Sequence, residues 1–595
     1  MKTFFSPFGR CCGSALALGL LLGGPAVAQA PAWQWGLQST NPAPTDGSEA
    51  SGNAVATDVA GRVYVAGQLT SNGSANRPLS RSFGSLGSLT GPQRGFVAQA
   101  SAAGQWAWLL PVVAAGPSGF GGPQARITGI TVGTGGEVYA AGFAVGDSLQ
   151  VGSRYYRLPA SGGVAFVLRL NNTGAVQWLR SFATSSAGYQ LAADPSTGGV
   201  VLAGAYQGIT TIGTVTLPPG INRFEGSPFI ARLDAGGNWR GAVSINGTSS
   251  VGPEFVMTVG PAGQVALVGG QYDGSLSFGP NLSLSVPSSA MPAYFAAQLS
   301  PTNIWDWAIG GTTGKSQAYG AAYTPTGTLW VGGSGGSGAV IGPLTVAIPG
   351  ATSPNASAGY LGLLSATGQW LLARPLIPSA DGFGVFVWLR TDAGGNALAL
   401  GVLRGNNRTV QANLGGQTLT SPANDGLIFV AGLSPTGQWR YVASLPNSAA
   451  VDGLEPGGIA LAPGGALYLT GSLHDAANFG PFALTGTTGP AGNTSQGSDL
   501  FLAKLANATA LAVRAGTAAP TLALFPNPAR STATLRLPAP TETAAEAVLT
   551  DALGREVRRY AVPARATETT LDVTGLAPGL YLVRCGAAVG RLVVE

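Results

Sequence analysis

The stretch "GRVYVAG", residues 61 to 67, sets small, β-branched and aromatic residues between two glycines. These residue types favour a short buried strand, and the glycines favour turns at its ends. Similar stretches recur at 136–142, 199–204, 263–270, 327–333, 395–401 and 465–471. The period is about 67 residues from Gly67 to Gly471, and such a period predicts a repeat architecture.

Each copy is preceded by one short strand and followed by two more. The third strand, such as "AFVLRLN" (165–171), occurs seven times, but the fourth, centred on tryptophan, follows only six of the third strands. The N-terminal "AWQWGLQ" (32–38) resembles the fourth strand "QWAWLLP" (105–111) and has no strands before it. A closed ring needs its ends joined, so we predict an all-β, seven-bladed β-propeller in which residues 32–38 pair beside 500–506.

The repeats also resemble a known family, the β-propeller repeat of secreted bacterial proteins, over about residues 32 to 506. In that family an aspartate closes the first strand of the unit, and the chain has Asp58, Asp194 and Asp392 at this place. The other repeats lack the aspartate. The resemblance implies the propeller fold and leaves the ligand open.

The lengths of the connections predict which face binds. Connections from strand one to two and from three to four are short, whereas those from strand two to three are long and share the opposite face. Binding residues commonly lie on loops held by a rigid scaffold, so we expect a ligand on the long-connection face. The long connections are residues 68–94, 143–164, 205–227, 271–292, 334–358, 402–426 and 472–498.

A second module follows a small-residue linker at 510–520. Residues 521–595 alternate apolar and polar side chains around three turns, which predicts a small antiparallel β-sandwich. The module closely resembles the C-terminal sorting domain of type IX secretion substrates, which implies export across both membranes of a Gram-negative cell by that machinery. The matching motif residues are Pro526, Asn527, Pro528, Asp551, Gly554, Arg555, Gly579 and Tyr581.

The N-terminus predicts a secretory signal over residues 1–30, with the propeller over 31–509. Lys2 and Arg10 precede an apolar run too short to span a membrane, and the small residues Ala28 and Ala30 fit a cleavage site. Cleavage there would leave Cys585 as the one cysteine, so no internal disulfide is expected. We expect no transmembrane anchor.

Composition argues against several classes of function. Charged residues make up 9% of the chain and the formal net charge is +5, with no basic clusters, which argues against nucleic-acid binding. The motif "GGSGG" (332–336) matches the G-x-S-x-G pattern of serine hydrolases, but no helical pattern follows Ser334, so we interpret it as a flexible loop. His474 is the only histidine, and we interpret it as a loop residue; we expect no metal site or cofactor.

Acidic and aromatic residues were the remaining candidates for chemistry. Asp147, Asp273 and Asp475 occupy equivalent places after the second strand, which indicates a repeated turn more strongly than an acid–base pair. Paired tryptophans two residues apart are expected on one face of a strand, packing between blades rather than forming a sugar platform. The pairs are Trp33 with Trp35, Trp106 with Trp108, and Trp305 with Trp307.

Three functions fit these observations. The first is a secreted or cell-surface protein that binds a glycan, polymer or protein. The second is a carbohydrate-active enzyme, a glycosidase or lyase, on the same scaffold. The third is a structural adhesion component. The scarcity of titratable residues in the repeats favours binding or structure over catalysis, so we expect no enzymatic activity.

Overall fold

The structure, a computed structural model, describes residues 32–595 apart from short gaps. The gaps are residues 43–47, 72–78, 92, 117–121, 160–162, 185–188, 221–225, 249–250, 252–254, 273, 287–291, 406, 424–425, 446–453, 475, 487–496, 507–521, 538–539, 541–542, 552–554 and 586–587. The predicted signal peptide with Ala28 and Ala30, and also Asp273, Asp475 and Gly554, therefore lie outside the described residues. The chain divides into two compact units, which contain residues 32–506 and 522–595 of the described chain.

The larger unit is built from antiparallel strands in repeating groups of four. Within the described residues there are seven such groups, called sheets 1 to 7 in chain order, and one parallel pairing of Ser357 with Phe383 joins sheets 5 and 6. The first strands are Ser48–Thr57, Gln124–Val132, Gln190–Asp194, Val256–Val259, Ser316–Tyr323, Phe383–Thr391 and Leu454–Leu461. The second strands are Val63–Ser71, Val138–Val145, Gly199–Tyr206, Val265–Gln271, Leu329–Gly336, Ala397–Arg404 and Leu467–Leu473.

The remaining strands complete each group. The third strands are Arg94–Ala100, Gly163–Leu170, Ser227–Leu233, Ala293–Leu299, Ser357–Leu364, Gly426–Leu433 and Asp499–Ala506. The fourth strands of sheets 1 to 6 are Trp106–Ala115, Val176–Ala183, Trp239–Ser244, Trp305–Gly310, Trp370–Leu376 and Trp439–Ser444. Sheet 7 takes its fourth strand from the N-terminus, Ala32–Gln38.

The predicted pairing of the chain ends is confirmed. Ala32–Gln38 lies antiparallel to Asp499–Ala506, with Ala32 opposite Ala506 and Gln38 opposite Phe501. Ser39 continues the contact, because its backbone N–H donates to the carbonyl of Leu500 at 2.9 Å. The N-terminal strand thus supplies the edge that sheet 7 lacks.

The first strands meet one another around the unit. Each contacts the first strand of the next sheet, and that of sheet 7 contacts that of sheet 1. Glycine allows close approach at the last of these junctions, because a Cβ on Gly457 would lie 2.0 Å from the carbonyl oxygen of Gly52. Buried apolar clusters fill the spaces between successive sheets, such as Ile127, Ala140 and Phe166 between sheets 1 and 2.

Short turns of one kind join strands one to two and three to four. In sheet 1, Asp58 Oδ1 accepts hydrogen bonds from the backbone N–H groups of Ala60 and Arg62, each at 3.0 Å, and Gly61 follows with a φ of 75°. Ser365 plays the same part in a turn of sheet 5, where Gly368 has positive φ. Short polar side chains stabilise such turns by bonding nearby backbone groups.

The long connections also have a common structure. Each contains a two-stranded hairpin in its described part, which the sequence analysis did not predict. The hairpins are Leu79–Ser82 with Ser88–Gly91, Ser148–Val151 with Arg154–Arg157, Thr210–Ile212 with Val215–Leu217, Ser275–Ser277 with Ser283–Ser285, Val340–Ile341 with Leu344–Thr345, Val410–Leu414 with Gln417–Ser421, and Ala476–Phe479 with Phe482–Thr485. A short 3-10 turn, Gly84–Leu86, and the short strand Asn246–Gly247 are the other elements described in this unit.

Two arginines are buried in the junctions between sheets. Arg232 of sheet 3 pairs with Asp194 at 2.7 Å and donates to the carbonyls of Gly263 and Ser300 in sheet 4. Arg81, in the hairpin of sheet 1, lies 3.2 Å from Asp499 of sheet 7. Both arginines and both aspartates are almost fully buried, so each cation is compensated inside the protein.

The smaller unit consists of two antiparallel sheets. One contains Ala523–Phe525, Thr532–Arg536 and Glu568–Asp572, and the other contains Ala545–Thr550, Glu556–Val562, Gly579–Cys585 and Ala588–Val594. Both sheets contribute residues to one buried apolar cluster, which includes the fully buried Leu535, Leu549, Leu571 and Val583. This arrangement agrees with the predicted β-sandwich.

Candidate ligand-binding site

Ser334 does not form a nucleophile site. It lies inside the second strand of sheet 5, opposite Gln317 on one side and Gly359 on the other, and its side chain is buried. A serine hydrolase elbow instead exposes its serine at a sharp turn from strand to helix. The interpretation of this glycine-rich stretch as a flexible loop was wrong, because its glycines are part of a paired strand.

Asp147 is the one aspartate of the predicted trio that the structure describes. It is exposed at the start of the hairpin in sheet 2, where its backbone N–H donates to Ala115 and its carbonyl accepts from Leu158, both at 2.8 Å. The position is a turn. Asp273 and Asp475 lie in gaps, so their predicted turns stay predictions.

The paired tryptophans do not share a face, contrary to the expectation. In sheet 1, Trp108 pairs with Gln99 and Trp106 pairs with Ala100, so a β-bulge accommodates the residue between them. The bulge turns Trp106 toward the junction with sheet 7 and Trp108 toward sheet 2. The same bulge separates the other two pairs.

The tryptophans pack between sheets, as the sequence suggested. Four indole N–H groups donate to a carbonyl in the short turn between strands three and four of the following sheet. These bonds run from Trp35 to Ala102, Trp108 to Asn172, Trp178 to Ala235 and Trp307 to Ala366, at 3.0 to 3.2 Å. The indole hydrogen bonds therefore join neighbouring sheets.

The long-connection face is not the set of free loops that was expected, because its hairpins contact neighbouring sheets. The hairpin of sheet 2 pairs with the fourth strand of sheet 1, and that of sheet 4 pairs with Asn246–Gly247, which follows the fourth strand of sheet 3. A bridge between Thr40 and Ser82 links the hairpin of sheet 1 to the end of sheet 7. Much of this face is therefore a layer that ties neighbouring sheets together, rather than a set of free loops.

A cavity of about 550 Å³ lies where the first strands meet, within the range of about 300–1,000 Å³ typical of small-molecule sites. All seven first strands line it, and it is called the shared cavity below. Neighbouring first strands run in the same direction, because their last residues lie together. Thr391 Oγ1 donates to the carbonyl of Tyr323, and Thr57 Oγ1 donates to the carbonyl of Leu461. The cavity therefore has a start end, on the long-connection side, and a finish end near the short turns.

Most polar side chains of the cavity wall are occupied by bonds between sheets. Asn53 Nδ2 donates to the carbonyl of Ile127 at 2.9 Å, and Thr128 Oγ1 donates to the carbonyl of Tyr189 at 2.9 Å. Gln190 Oε1 accepts from the backbone N–H of Met257 at 2.8 Å. These amides and hydroxyls connect sheets 1 to 4, so they are positioned by the fold itself.

Arg390 stands apart among the residues that line the cavity. It is the one charged residue among them in the described chain. Its Nη1 donates to the carbonyl of its own neighbour Leu389 at 2.7 Å, and no ion pair to Arg390 is formed within the described residues. Burial lowers the pKa of Arg390 to about 10, with no carboxylate close enough to oppose the shift. Trp388, two residues earlier, lines the same cavity.

A smaller cavity of about 320 Å³ adjoins the start end and shares Asn53 and Gly457 with the shared cavity. Here His474 Nε2 lies 3.7 Å from Glu455 Oε2, and Nδ1 lies 3.1 Å from the carbonyl oxygen of Gly497. The nearby carboxylate of Glu455 raises the pKa of His474, against the effect of burial, and the imidazole lowers the pKa of Glu455. Glu49 also lines this smaller cavity, so its lining contains two acidic residues beside the one histidine.

The sequence had marked His474 as a loop residue, and it does follow the second strand of sheet 7 directly. Its pairing with Glu455 and the cavity residues Arg390 and Trp388 were not predicted from the sequence. A signal for Arg390 and Trp388 was present in the sequence, because they precede Asp392, one of the aspartates that close a first strand, and in the predicted propeller the first strands would line the axis. Across the described ranges, no group of three or more His, Cys, Asp or Glu could hold a metal ion.

The sorting-motif residues lie in the smaller unit. Asn527, between Pro526 and Pro528, donates from Nδ2 to the carbonyl of Arg591 at 2.7 Å and accepts from the N–H of Val593 at 2.8 Å. The motif thereby holds the last strand in place.

The other motif residues stabilise turns. Asp551 accepts hydrogen bonds from the backbone and side chain of Arg555, and Tyr581 Oη donates to the carbonyl of Ala577 at 2.8 Å. Gly579 begins the strand that carries Tyr581. Cys585, at the end of the same strand, is buried and forms no disulfide.

Comparison with known proteins identifies the smaller unit. Residues 523–594 match the family described as "Secretion system C-terminal sorting domain". No curated protein is significantly similar to the chain.

Two solved structures illustrate how distant the structural likenesses are. A protein of unknown function from Dyadobacter fermentans DSM 18053 superposes with a TM-score of 0.27 and 11% identity, over 68% of this chain and 96% of its own. Rhamnogalacturonan lyase YesW gives a TM-score of 0.20 and 10% identity, over 81% and 90%. Similarity at this level carries no argument about fold or activity.

The matched domain has a direct consequence for location. A sorting domain of this family implies interaction with the type IX secretion machinery. No helix suited to crossing a membrane occurs in the described part of the chain. The protein is secreted, to the cell surface or outside the cell.

Proposed function

We propose that sheets 1 to 7 are the blades of a closed seven-bladed β-propeller over residues 31–509, joined to the sorting domain at 521–595 by the linker 510–520. Three features support this: four strands in each sheet, contacts between all successive first strands, and an N-terminal strand that completes sheet 7. In such a ring the first strands surround the axis and the shared cavity is axial.

We further propose that the protein binds a ligand outside the cell without catalysing a reaction. The ligand surface comprises the shared cavity and the long-connection face around its start end. The observation that carries this proposal is the composition of the cavity wall, where Arg390 is the one charged residue among the described residues. Acid–base catalysis commonly uses two or more groups with tuned protonation in one pocket, and a wall of this kind is suited to binding.

A single screen separates binding from catalysis. The purified secreted protein is tested against polysaccharides for retention and for the appearance of shorter products. Retention without products is the expected result, and a swap of residues 472–498 should weaken retention if the long-connection face contributes. Reproducible cleavage that disappears in Asp273→Asn or Asp475→Asn would establish the alternative, a carbohydrate-active enzyme.

The structural alternative requires a different measurement. If deletion of the gene abolishes cell attachment while the purified protein retains no polysaccharide or protein ligand, the role is that of an adhesion component. The type IX route is tested by deleting residues 521–595. We expect the truncated protein to accumulate in the periplasm with its propeller folded, and its normal appearance outside the cell would reject the assignment of export to this domain.

A further inference from the structure

Comparison of the seven first strands with one another identifies two residues that break the repeat. The residue two places before the short turn is small in six sheets and is arginine in sheet 6. In chain order these residues are Ala56, Thr131, Ala192, Thr258, Ala322, Arg390 and Ala460. All seven line the shared cavity. Six small residues keep the cavity open at this level, and the seventh places a guanidinium in it.

At the position two residues earlier, sheet 6 alone has an aromatic residue. The residues there are Ala54, Gly129, Gln190, Val256, Gly320, Trp388 and Gly458, and all except Gly320 line the cavity. Residues two apart on a strand project to the same side and are separated by about 7 Å. Sheet 6 therefore presents an indole and a guanidinium on the same side of its first strand, and both residues line the shared cavity.

The first strands of sheets 1, 2, 5, 6 and 7 share a bulge at this place. In sheet 6 the bulge comprises Val387 and Trp388, so Trp388 stands at a position whose backbone the repeat itself sets. The indole packs partly against the apolar cluster between sheets 6 and 7, so its orientation is restrained.

The charged residues of the shared cavity and of the smaller cavity lie at opposite ends of the first strands. Glu49 and Glu455 are each the second residue of a first strand, whereas Arg390 is the last but one. The carboxylates thus lie at the start end and the guanidinium near the finish end. Aspartates close three strands at the finish end, but their carboxylates already have partners: the N–H groups of Gly394 and Asn396 bond Asp392, and Arg232 pairs with Asp194.

The donors of Arg390 remain available. Beyond the bond from Nη1 to Leu389, its nitrogens make no hydrogen bond within the described residues, and none of them is sealed from solvent. Guanidinium forms paired hydrogen bonds to carboxylates, and an indole offers an apolar surface for the face of a sugar ring. The hydroxyls of Thr131 and Thr258, at the same level as Arg390, are unbonded in the described chain and can bind sugar hydroxyls.

We propose that Arg390 and Trp388 form a binding subsite in the shared cavity for a carboxylate-bearing sugar, such as a hexuronic acid unit of an acidic polysaccharide. Arg390 binds the carboxylate and Trp388 packs against the ring. The inference rests on the proposed binding function and specifies the class of its ligand.

The test compares hexuronic acid oligomers with the same oligomers after reduction of their carboxyl groups to neutral alcohols. Binding to the purified full-length secreted protein is measured by calorimetry. We expect the acidic oligomers to bind at least tenfold more tightly. Arg390→Ala should remove this preference, and Trp388→Ala should weaken binding of both forms.

The repeat itself provides the controls. Four other sheets have alanine where Arg390 stands, and sheet 1 has Ala54 where Trp388 stands, so both variants copy residues that the fold accepts. Arg240→Ala removes an exposed arginine of the fourth strand of sheet 3, outside the cavity and the long connections, and should leave binding unchanged. Melting temperatures identify any variant that is not folded, and Arg390→Lys, which keeps the charge, should then retain part of the preference.

The outcomes distinguish the subsite from the wider proposal. Equal binding of acidic and reduced oligomers, or an acidic preference that survives Arg390→Ala, would overturn the subsite and leave the binding function standing. Absence of any binding to acidic oligomers would overturn it as well. Cleavage of the oligomers would contradict the binding function, whereas a carboxylate preference lost in Arg390→Ala would still support the subsite.

Discussion

The junctions between sheets and the wall of the shared cavity use arginine in opposite ways. Arg232 is fully buried, pairs with Asp194 and bonds two carbonyls of the next sheet. Arg390 is only partly buried, in the wall of the cavity, and it meets no carboxylate within the described residues. A buried cation is costly unless it is paired. The buried charged residues of the junctions therefore stabilise the fold, whereas Arg390 in the cavity can still bind a ligand.

The N-terminal strand should show the largest effect on the junctions. A protein that begins at residue 45 lacks the fourth strand of sheet 7, including Trp33 and Trp35, and exposes the edge of Asp499–Ala506. We expect a loss of roughly 5 kcal/mol or more in the free energy of unfolding, since removal of one buried large side chain alone costs about 3–5 kcal/mol. Denaturant unfolding measures it, with Gln34→Ala in the same strand as control. An unchanged melting temperature would refute ring closure.

The pair between Arg232 and Asp194 comes next. Arg232→Met leaves Asp194 buried without its cation, and we expect a loss of about 3–5 kcal/mol in unfolding free energy. The double variant Arg232→Met/Asp194→Leu should recover part of the loss, because no buried charge remains.

An exposed pair supplies the matched control. Arg240→Met breaks the exposed contact to Asp234 and should cost less than about 1 kcal/mol. Similar losses for Arg232→Met and Arg240→Met would show that burial does not set the energy of these pairs.

The cavity arginine should behave differently. Arg390→Ala removes a cation that has no internal partner, so we expect the free energy of unfolding to change by no more than about 0.5 kcal/mol, or to rise. The measurement is the same denaturant unfolding, run beside Arg232→Met. A loss as large as that of Arg232→Met would place Arg390 with the structural arginines and remove the contrast.

The smallest effect is expected at the start end of the cavity. The pKa of His474 is raised above its ordinary value of 6.5, so its contribution to stability is full below that pH and is lost as pH rises through the raised value. The pKa of Glu455 is lowered from 4.5, so its contribution is present above that pH and is lost as pH falls. The pair therefore stabilises the fold most between these two ordinary values.

This pair is convenient to follow because His474 is the only histidine. Its imidazole signals can be titrated by proton NMR, and Glu455→Gln should lower the pKa of His474 toward its ordinary value. Since Glu455 is largely exposed, the change in stability should be small. A His474 pKa that is the same in both proteins would show that the two side chains do not interact in solution.

Local sequence determined the strands, the turns and the order of the motifs. Glycine-bounded apolar runs predicted the second strands, and polar residues such as Asp58 before a glycine predicted the short turns. The split fourth strand even predicted the contact between residues 32–38 and 500–506, because a missing edge can be counted in a repeat. The C-terminal motifs predicted the sorting domain, since turn residues and alternation act over a few positions.

Only the tertiary structure decided how distant residues combine. The bulge that separates Trp106 from Trp108 depends on pairing with the third strand, so alternation along one strand could not reveal it. The hairpins connect neighbouring sheets because the fold places them beside strands of those sheets. The shared cavity is lined by residues from seven strands, and residues as far apart in sequence as Thr57 and Leu461 meet in its wall. Arg390 looks ordinary in its own segment, and its lack of a partner is a property of the six other strands that surround it.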